Sequence, residues 1–276
     1  SLLIKPLAAA DKTRRFTWNA VGDVLAVLKA IVRRKALFLS LCALAYFWFL
    51  GAVFQMNILL YGKQQMLLGD AATSRLLVAV SLGIGLGGLI AGRLSEGKVE
   101  FGLVPLGAIG MSVFCILLGL VSGSYAAVLV NLLLLGVSAG VYTVPLNAFF
   151  QKYSPGEQRG TYLAASGVIS SVSILMGSVF MWAGGRFHLD PAQVFLMLGL
   201  ISVAATIYIL KTLPDALLRM INWLLVHTFY RIRIVGEDNV PAEGGVLIAA
   251  NHVSFIDAVV TLASLKRPVR FVVHRH

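Results

Sequence analysis

Six apolar stretches, at about 36–60, 75–93, 101–121, 125–150, 161–183 and 192–210, run through this sequence with no Asp, Glu, Lys or Arg in their interiors. Each is close to the ~20 residues a helix needs to cross the hydrocarbon core of a bilayer. Lipid offers no hydrogen bonds to an exposed backbone, so chains that enter it close as helices or as barrels. Continuous runs of this length, without alternation, select helices. The bulk numbers agree: 58% of the 276 residues are hydrophobic and 13% charged, with a mean hydropathy of +0.86. The fold class expected is an all-α polytopic membrane bundle.

The net charge of +11 is placed as topology, not as a nucleic-acid surface. Lys5, Lys12, Arg14, Arg15, Lys29, Arg33, Arg34 and Lys35 precede the first span. Arg93, Lys98, Lys152 and Arg159 fall in the loops on the same side, whereas the opposite loops hold only Lys63, Arg75 and Arg186. Cytoplasmic loops carry the Lys and Arg excess, so the N-terminus and the C-terminal tail are both expected in the cytoplasm. No basic patch is interleaved with aromatics, which argues against nucleic acid as a partner. Cys42 and Cys115 sit inside apolar runs and read as free thiols. No metal site and no signal peptide is expected.

The second span contains GIGLGGLIAG, residues 83–92. At membrane depth this is a helix-packing pattern, with Gly83/Gly87 and Gly88/Gly92 at small-xxx-small spacing. The loop that follows is GRLSEGKVEFG, residues 92–102. It resembles the signature loop of the major facilitator superfamily in Gly92, Leu94, Ser95, Glu96 and Lys98, although Gly97 and Glu100 stand where basic residues are usual. The stretch VPLNAFFQKYSPGEQRGTYLAASG, residues 144–167, resembles the matching loop of bacterial lysophospholipid transporters of that superfamily. Here Pro145 is expected to end the fourth span and Pro155-Gly156 to make the turn. The resemblance implies the C-terminal six-helix half of a major facilitator fold. Residues 1–35 would be a cytoplasmic linker from a missing N-terminal half, 36–211 the spans, and Glu96 and Lys98 part of a conformational-switch loop. Gln55, Asn57, Asn131, Tyr142 and Asn147 are the polar side chains at or near membrane depth. They are candidates for a substrate path and equally for hydrogen bonds between helices.

The tail has a different character. Pro214 breaks the last span, and residues 214–230 read as an interfacial helix with Arg219, Asn222 and His227 on a polar arc. Residues 231–241 then read as a strand and turn, and GGVLIAAN, 244–251, as a buried strand. NHVSFID follows. Together with the strand VRFVV, 269–273, this order resembles the phospholipid/glycerol acyltransferase family and its His-x4-Asp motif. The fold expected for 231–276 is therefore the start of an α/β acyltransferase domain. The resemblance makes His252 and Asp257 the catalytic pair. A neutral imidazole is a natural base for a hydroxyl attacking a thioester, and a carboxylate on its other nitrogen fixes the tautomer. Positions five apart on a helix of ~3.6 residues per turn sit about 140° apart, so the pair needs a turn at 252–254 and a helix after Ser254. Ser254 and Asp257 also have capping-box spacing, which leaves a helix-start role open for Asp257.

The two resemblances together imply a bacterial fusion of a lysophospholipid transporter with a 2-acylglycerophosphoethanolamine-type acyltransferase, multi-pass in the inner membrane. Its partners would be membrane lipid, a lysophospholipid substrate, and acyl carrier protein or coenzyme A thioester as acyl donor. The chain reads as an internal piece of such a parent, inactive as an acyltransferase alone, because the family's arginine-bearing phosphate clamp is not among these residues. The alternative is a major facilitator exporter of another amphiphile with a non-catalytic acyltransferase-like tail. A third reading makes the helices only an anchor for an acyltransferase.

Overall fold

The computed structural model describes residues 20–95, 99–120, 124–230, 232–236, 239–241, 244–249, 251, 254, 256–265 and 269–271. A helix α1 (Ala20–Val32) precedes six long ones: α2 (Lys35–Leu60), α3 (Asp70–Ser95), α4 (Leu103–Leu120), α5 (Tyr125–Tyr153), α6 (Arg159–Arg186) and α7 (Pro191–Thr212). All six are long and apolar enough to cross a membrane. The expected spans fall within a few residues of them. The helices run past the apolar windows because a charged residue ends a hydrophobic stretch before it ends a helix. At its far end α2 passes into a π-helical turn, Tyr61–Gln65.

Pro145 does not end the fourth span as expected. It sits buried inside α5, which continues two turns further to Tyr153. Proline removes one backbone donor, but packed neighbours can keep a membrane helix going through it. The turn at Pro155 is where it was expected, and Gly156–Gln158 forms a single 3-10 turn before α6. Pro214 likewise opens helix α8 (Pro214–Phe229) directly after α7.

Glycine sets the closest contact in the bundle. A methyl at Gly83 or Gly87 of α3 would overlap the carbonyl oxygen of Leu133 or Val137 of α5. The converse holds for Gly136 and Gly140 of α5 against Val80 and Ile84. Two backbones meet here without side chains between them, which is how lipid-embedded helices gain packing. Gly88 and Gly92, expected to act in the same way, do not: a methyl at Gly88 would make an ordinary 3.6 Å contact with Val144, and one at Gly92 would meet nothing within 4 Å.

Several polar groups inside the bundle are paired across helices. Tyr46 Oη donates to Ser202 Oγ at 2.6 Å, Ser112 and Thr206 hydroxyls lie 3.0 Å apart, and Cys115 Sγ donates to the Phe195 carbonyl at 3.2 Å. These tie α2 and α4 to α7. Buried hydroxyls in hydrocarbon are costly unless bonded, so each pair also fixes a register.

At the Lys35 end of the bundle, α8 packs on α4. Met220 joins Ala91, Leu103 and Val141 in a buried cluster, with Leu94, Trp223 and Leu224 beside it. A methyl at Gly102 would strike Met220 Cβ and the Ala216 carbonyl, so α8 also rests on a glycine. Beyond α8, a turn places Gly236 at φ +80° with the Asn239 N–H on its carbonyl at 3.0 Å. Helix α9 (Ile256–Ser264) is the last described helix.

The strands expected within 231–241 and over 244–251 and 269–273 are not formed among the described residues, where 232–236, 245–249 and 269–271 are irregular. A strand is stabilised by a neighbour on its edge, and no described segment ladders against these. Val246, Leu247 and Ile248 are accordingly exposed.

Candidate functional site

Two regions carry the chemistry proposed from the sequence: the polar side chains of the bundle and the start of α9. In the bundle, Gln55 is exposed and lines a cavity of about 260 Å³ with Phe47, Ser81, Met111 and Ala139. Asn57 points the other way. It is fully buried, and its Nδ2 donates to the Pro191 carbonyl of α7 at 2.9 Å. Its Oδ1 has no hydrogen-bond partner. Asn131, with its amide oriented to suit its neighbours, donates to the Phe114 carbonyl at 3.2 Å and accepts from Leu118 N–H at 3.3 Å. Asn147 is exposed and donates to Thr143 of its own helix at 3.0 Å. Tyr142 is buried, with its hydroxyl donating to the Ala43 carbonyl at 3.2 Å. Asn57, Asn131 and Tyr142 thus bond between helices, while Gln55 faces open space.

Of the switch-loop residues, Gly92, Leu94 and Ser95 form the last turn of α3. Leu94 packs into the cluster under α8, so the end of α3 and α8 share one contact. Glu96 and Lys98 lie outside the described residues.

A larger cavity of about 680 Å³, open on one side and lined by α2, α4, α5 and α7 at the Lys35 end, has no counterpart in the sequence reading. Its walls include Ala36 and Ala43 of α2 and Ala205 of α7, all small residues. The signal was weak, because alanine in an apolar run says nothing about which helix it faces.

At the tail, α9 begins with a reciprocal cap. The Ser254 N–H donates to Asp257 Oδ2 at 2.7 Å, and the Asp257 N–H donates to the Ser254 carbonyl at 3.0 Å. The Ile256 N–H reaches Ser254 Oγ at 3.5 Å. The helix is described from Ile256, shortly after Ser254. Asp257 performs the capping role that its spacing left open. A carboxylate has about four acceptor positions, so capping and orienting an imidazole are compatible. His252 lies outside the described residues.

α9 is not isolated. Asn222 Nδ2 of α8 donates to the Val259 carbonyl at 2.9 Å. One face of α8 is thus buried against the bundle, and one of its polar side chains holds the helix that Asp257 begins. Trp223 and His227 stack on α8 with ring centroids 4.3 Å apart, His227 Nδ1 lying 2.9 Å from the Trp223 carbonyl.

Comparison with known proteins agrees with this division. The family model described as Major Facilitator Superfamily matches residues 2–178. The model described as Acyltransferase matches residues 231–276. No curated protein and no solved structure matches the chain.

Proposed function

The chain belongs to the Major Facilitator Superfamily, and from that premise, with an acyltransferase-family segment in the same chain, we propose that the protein moves a lysophospholipid across a membrane and re-acylates it. The observation that carries this reading is α8, seated on the bundle through Met220 and bonded through Asn222 to α9. Such a connection supports acyl-transfer chemistry at the membrane surface, where a lysophospholipid delivered by the bundle would arrive. By the distribution of Lys and Arg, that surface is cytoplasmic. In a bacterium the membrane is the inner one.

Six spans make one half of a major facilitator fold, and the transport path lies between two such halves. Gln55 is the polar residue best placed to meet substrate on this half, since it opens to space. Glu96 and Lys98, with Gly92, Leu94 and Ser95, form the loop that makes and breaks ion pairs as the halves rock.

In the acyl-transfer step, His252 takes the proton from the glycerol hydroxyl as its oxygen attacks the thioester carbonyl. The new C–O bond forms, the C–S bond breaks, and the proton passes to the departing thiolate. Asp257 holds the imidazole in the reactive tautomer and stabilises its cation. The donor is an acyl carrier protein or coenzyme A thioester, and the acceptor a lysophosphatidylethanolamine.

The test is His252→Ala in the protein expressed in its native reading frame. Acyl incorporation into lysophospholipid should vanish while membrane insertion stays intact. Turnover retained in that variant removes His252 from the mechanism. Lysophospholipid movement without any acylation in the unaltered protein favours the second reading, an exporter with a non-catalytic tail.

A further inference from the structure

We propose that the 680 Å³ cavity between α2, α4, α5 and α7 is a holding site for one acyl chain of a lysophospholipid, with the phosphate beside Lys35. The choice of lysophospholipid rests on the function proposed above. The cavity itself is lined by residues of one six-helix unit.

The wall offers almost nothing polar to a ligand. Four of its five hydroxyls are spent on the protein: Ser40 on the Leu37 carbonyl, Tyr46 on Ser202, Tyr142 on the Ala43 carbonyl and Thr212 on the Tyr208 carbonyl; the fifth is that of Tyr208. What faces the space is hydrocarbon and aromatic edge, a lining suited to an alkyl chain. From Lys35 to Tyr46 along α2 the wall is about 17 Å deep at ~1.5 Å per residue. A methylene takes about as much room as a water molecule in the liquid, ~30 Å³, so a chain of about 16 carbons needs ~480 Å³ and two need ~960 Å³. The cavity has room for one such chain.

Lys35 is the charged residue of the lining, and it makes no ion pair among the described residues. It stands at the first residue of α2, where a headgroup would sit when its chain lies inside. Leu213, immediately before α8, lines the same cavity. The held lipid would therefore wait beside the helix that leads to the acyltransferase segment. Lipid tails are as apolar as this wall, so entry from the bilayer gains little from hydrophobicity. Selectivity must come from the charge at the rim.

The experiment uses the chain in nanodiscs with a lysophosphatidylethanolamine bearing a diazirine at the end of its acyl chain. Photolysis should place adducts on Ala43, Tyr46 and Ala205, and excess unlabelled lysophosphatidylethanolamine should remove them. Ala205→Phe fills the space and should cut labelling at least ten-fold. Lys35→Gln, an exposed change that spares the fold, should weaken competition about five-fold, from the worth of one lysine near a membrane surface. Adducts on the outer faces, at Leu175, Trp182 or Leu200, overturn the proposal. If Ala205→Phe fails to fold, the adduct map of the unaltered chain decides alone. Acyl incorporation is measured separately: labelling without it keeps the holding site and sinks the proposed function, and the reverse pattern does the opposite.

Discussion

Gly87→Ala tests the packing of the bundle where the structure is most exacting. The added methyl would overlap the Val137 carbonyl oxygen of α5 and lie 2.8 Å from its carbon and 2.9 Å from its Cα. These are backbone atoms, so no rotamer change gives way, and carbon contacts settle at about 3.5–4.0 Å. The helices must part locally by about 1 Å, a gap that forfeits a quarter to a half of each contact around it. Gly92→Ala on the same helix is the control, because its methyl meets nothing within 4 Å. Both substitutions carry the same helix-propensity gain of ~1 kcal/mol, so their difference isolates the clash. Overpacking of this kind costs about 2 kcal/mol. At roughly 2–4 °C per kcal/mol for a chain of this size, Gly87→Ala should melt about 4–8 °C below Gly92→Ala. Thermal unfolding in detergent, followed by size-exclusion of the surviving fraction, reads this directly. Equal melting of the two variants would refute the backbone contact between α3 and α5.

Asn57→Leu should be neutral or raise stability by about 1 kcal/mol, since it removes a buried oxygen without a partner and loses one modest intramembrane hydrogen bond. A clear drop in melting temperature would mean that Oδ1 is engaged. A membrane-permeant maleimide should modify Cys42, which lines the large cavity, and spare Cys115, which is buried and bonded to the Phe195 carbonyl; mass spectrometry showing two adducts per chain contradicts that burial. Asp257→Asn separates the two roles of that residue, because the amide oxygen can still accept the Ser254 N–H. If Asp257 orients the imidazole, acyl transfer falls on the order of 10²–10⁴-fold with α9 intact. Near-normal turnover in Asp257→Asn assigns it to capping alone.

The spans were legible because lipid imposes one local rule on each of them, and a charge-free window of the right length satisfies it regardless of its neighbours. Partner choice was only half legible. Gly83 and Gly87 do meet another helix, but their counterparts Gly136 and Gly140 went unremarked, and Gly88 and Gly92 share the spacing without the contact. Spacing shows that a face is smooth, not that another helix lies on it. Pro145 was overread for the opposite reason: in water a proline mid-helix is costly, whereas packed neighbours carry α5 through it to Tyr153. The cavity beside Lys35 was illegible because it arises from four helices at once. At the tail, the cap at Ser254 and Asp257 could be read from four consecutive residues, since capping is local. Strands are not local, and the apolar run over 245–249 has no partner among the described residues.

The most direct test of the account measures lysophospholipid movement and acyl incorporation in the same membrane vesicles, for the unaltered protein in its native reading frame and for His252→Ala. The account predicts both activities in the first and movement alone in the second. Acylation that persists in His252→Ala, or vesicles in which acylation proceeds with no lysophospholipid movement, would contradict it.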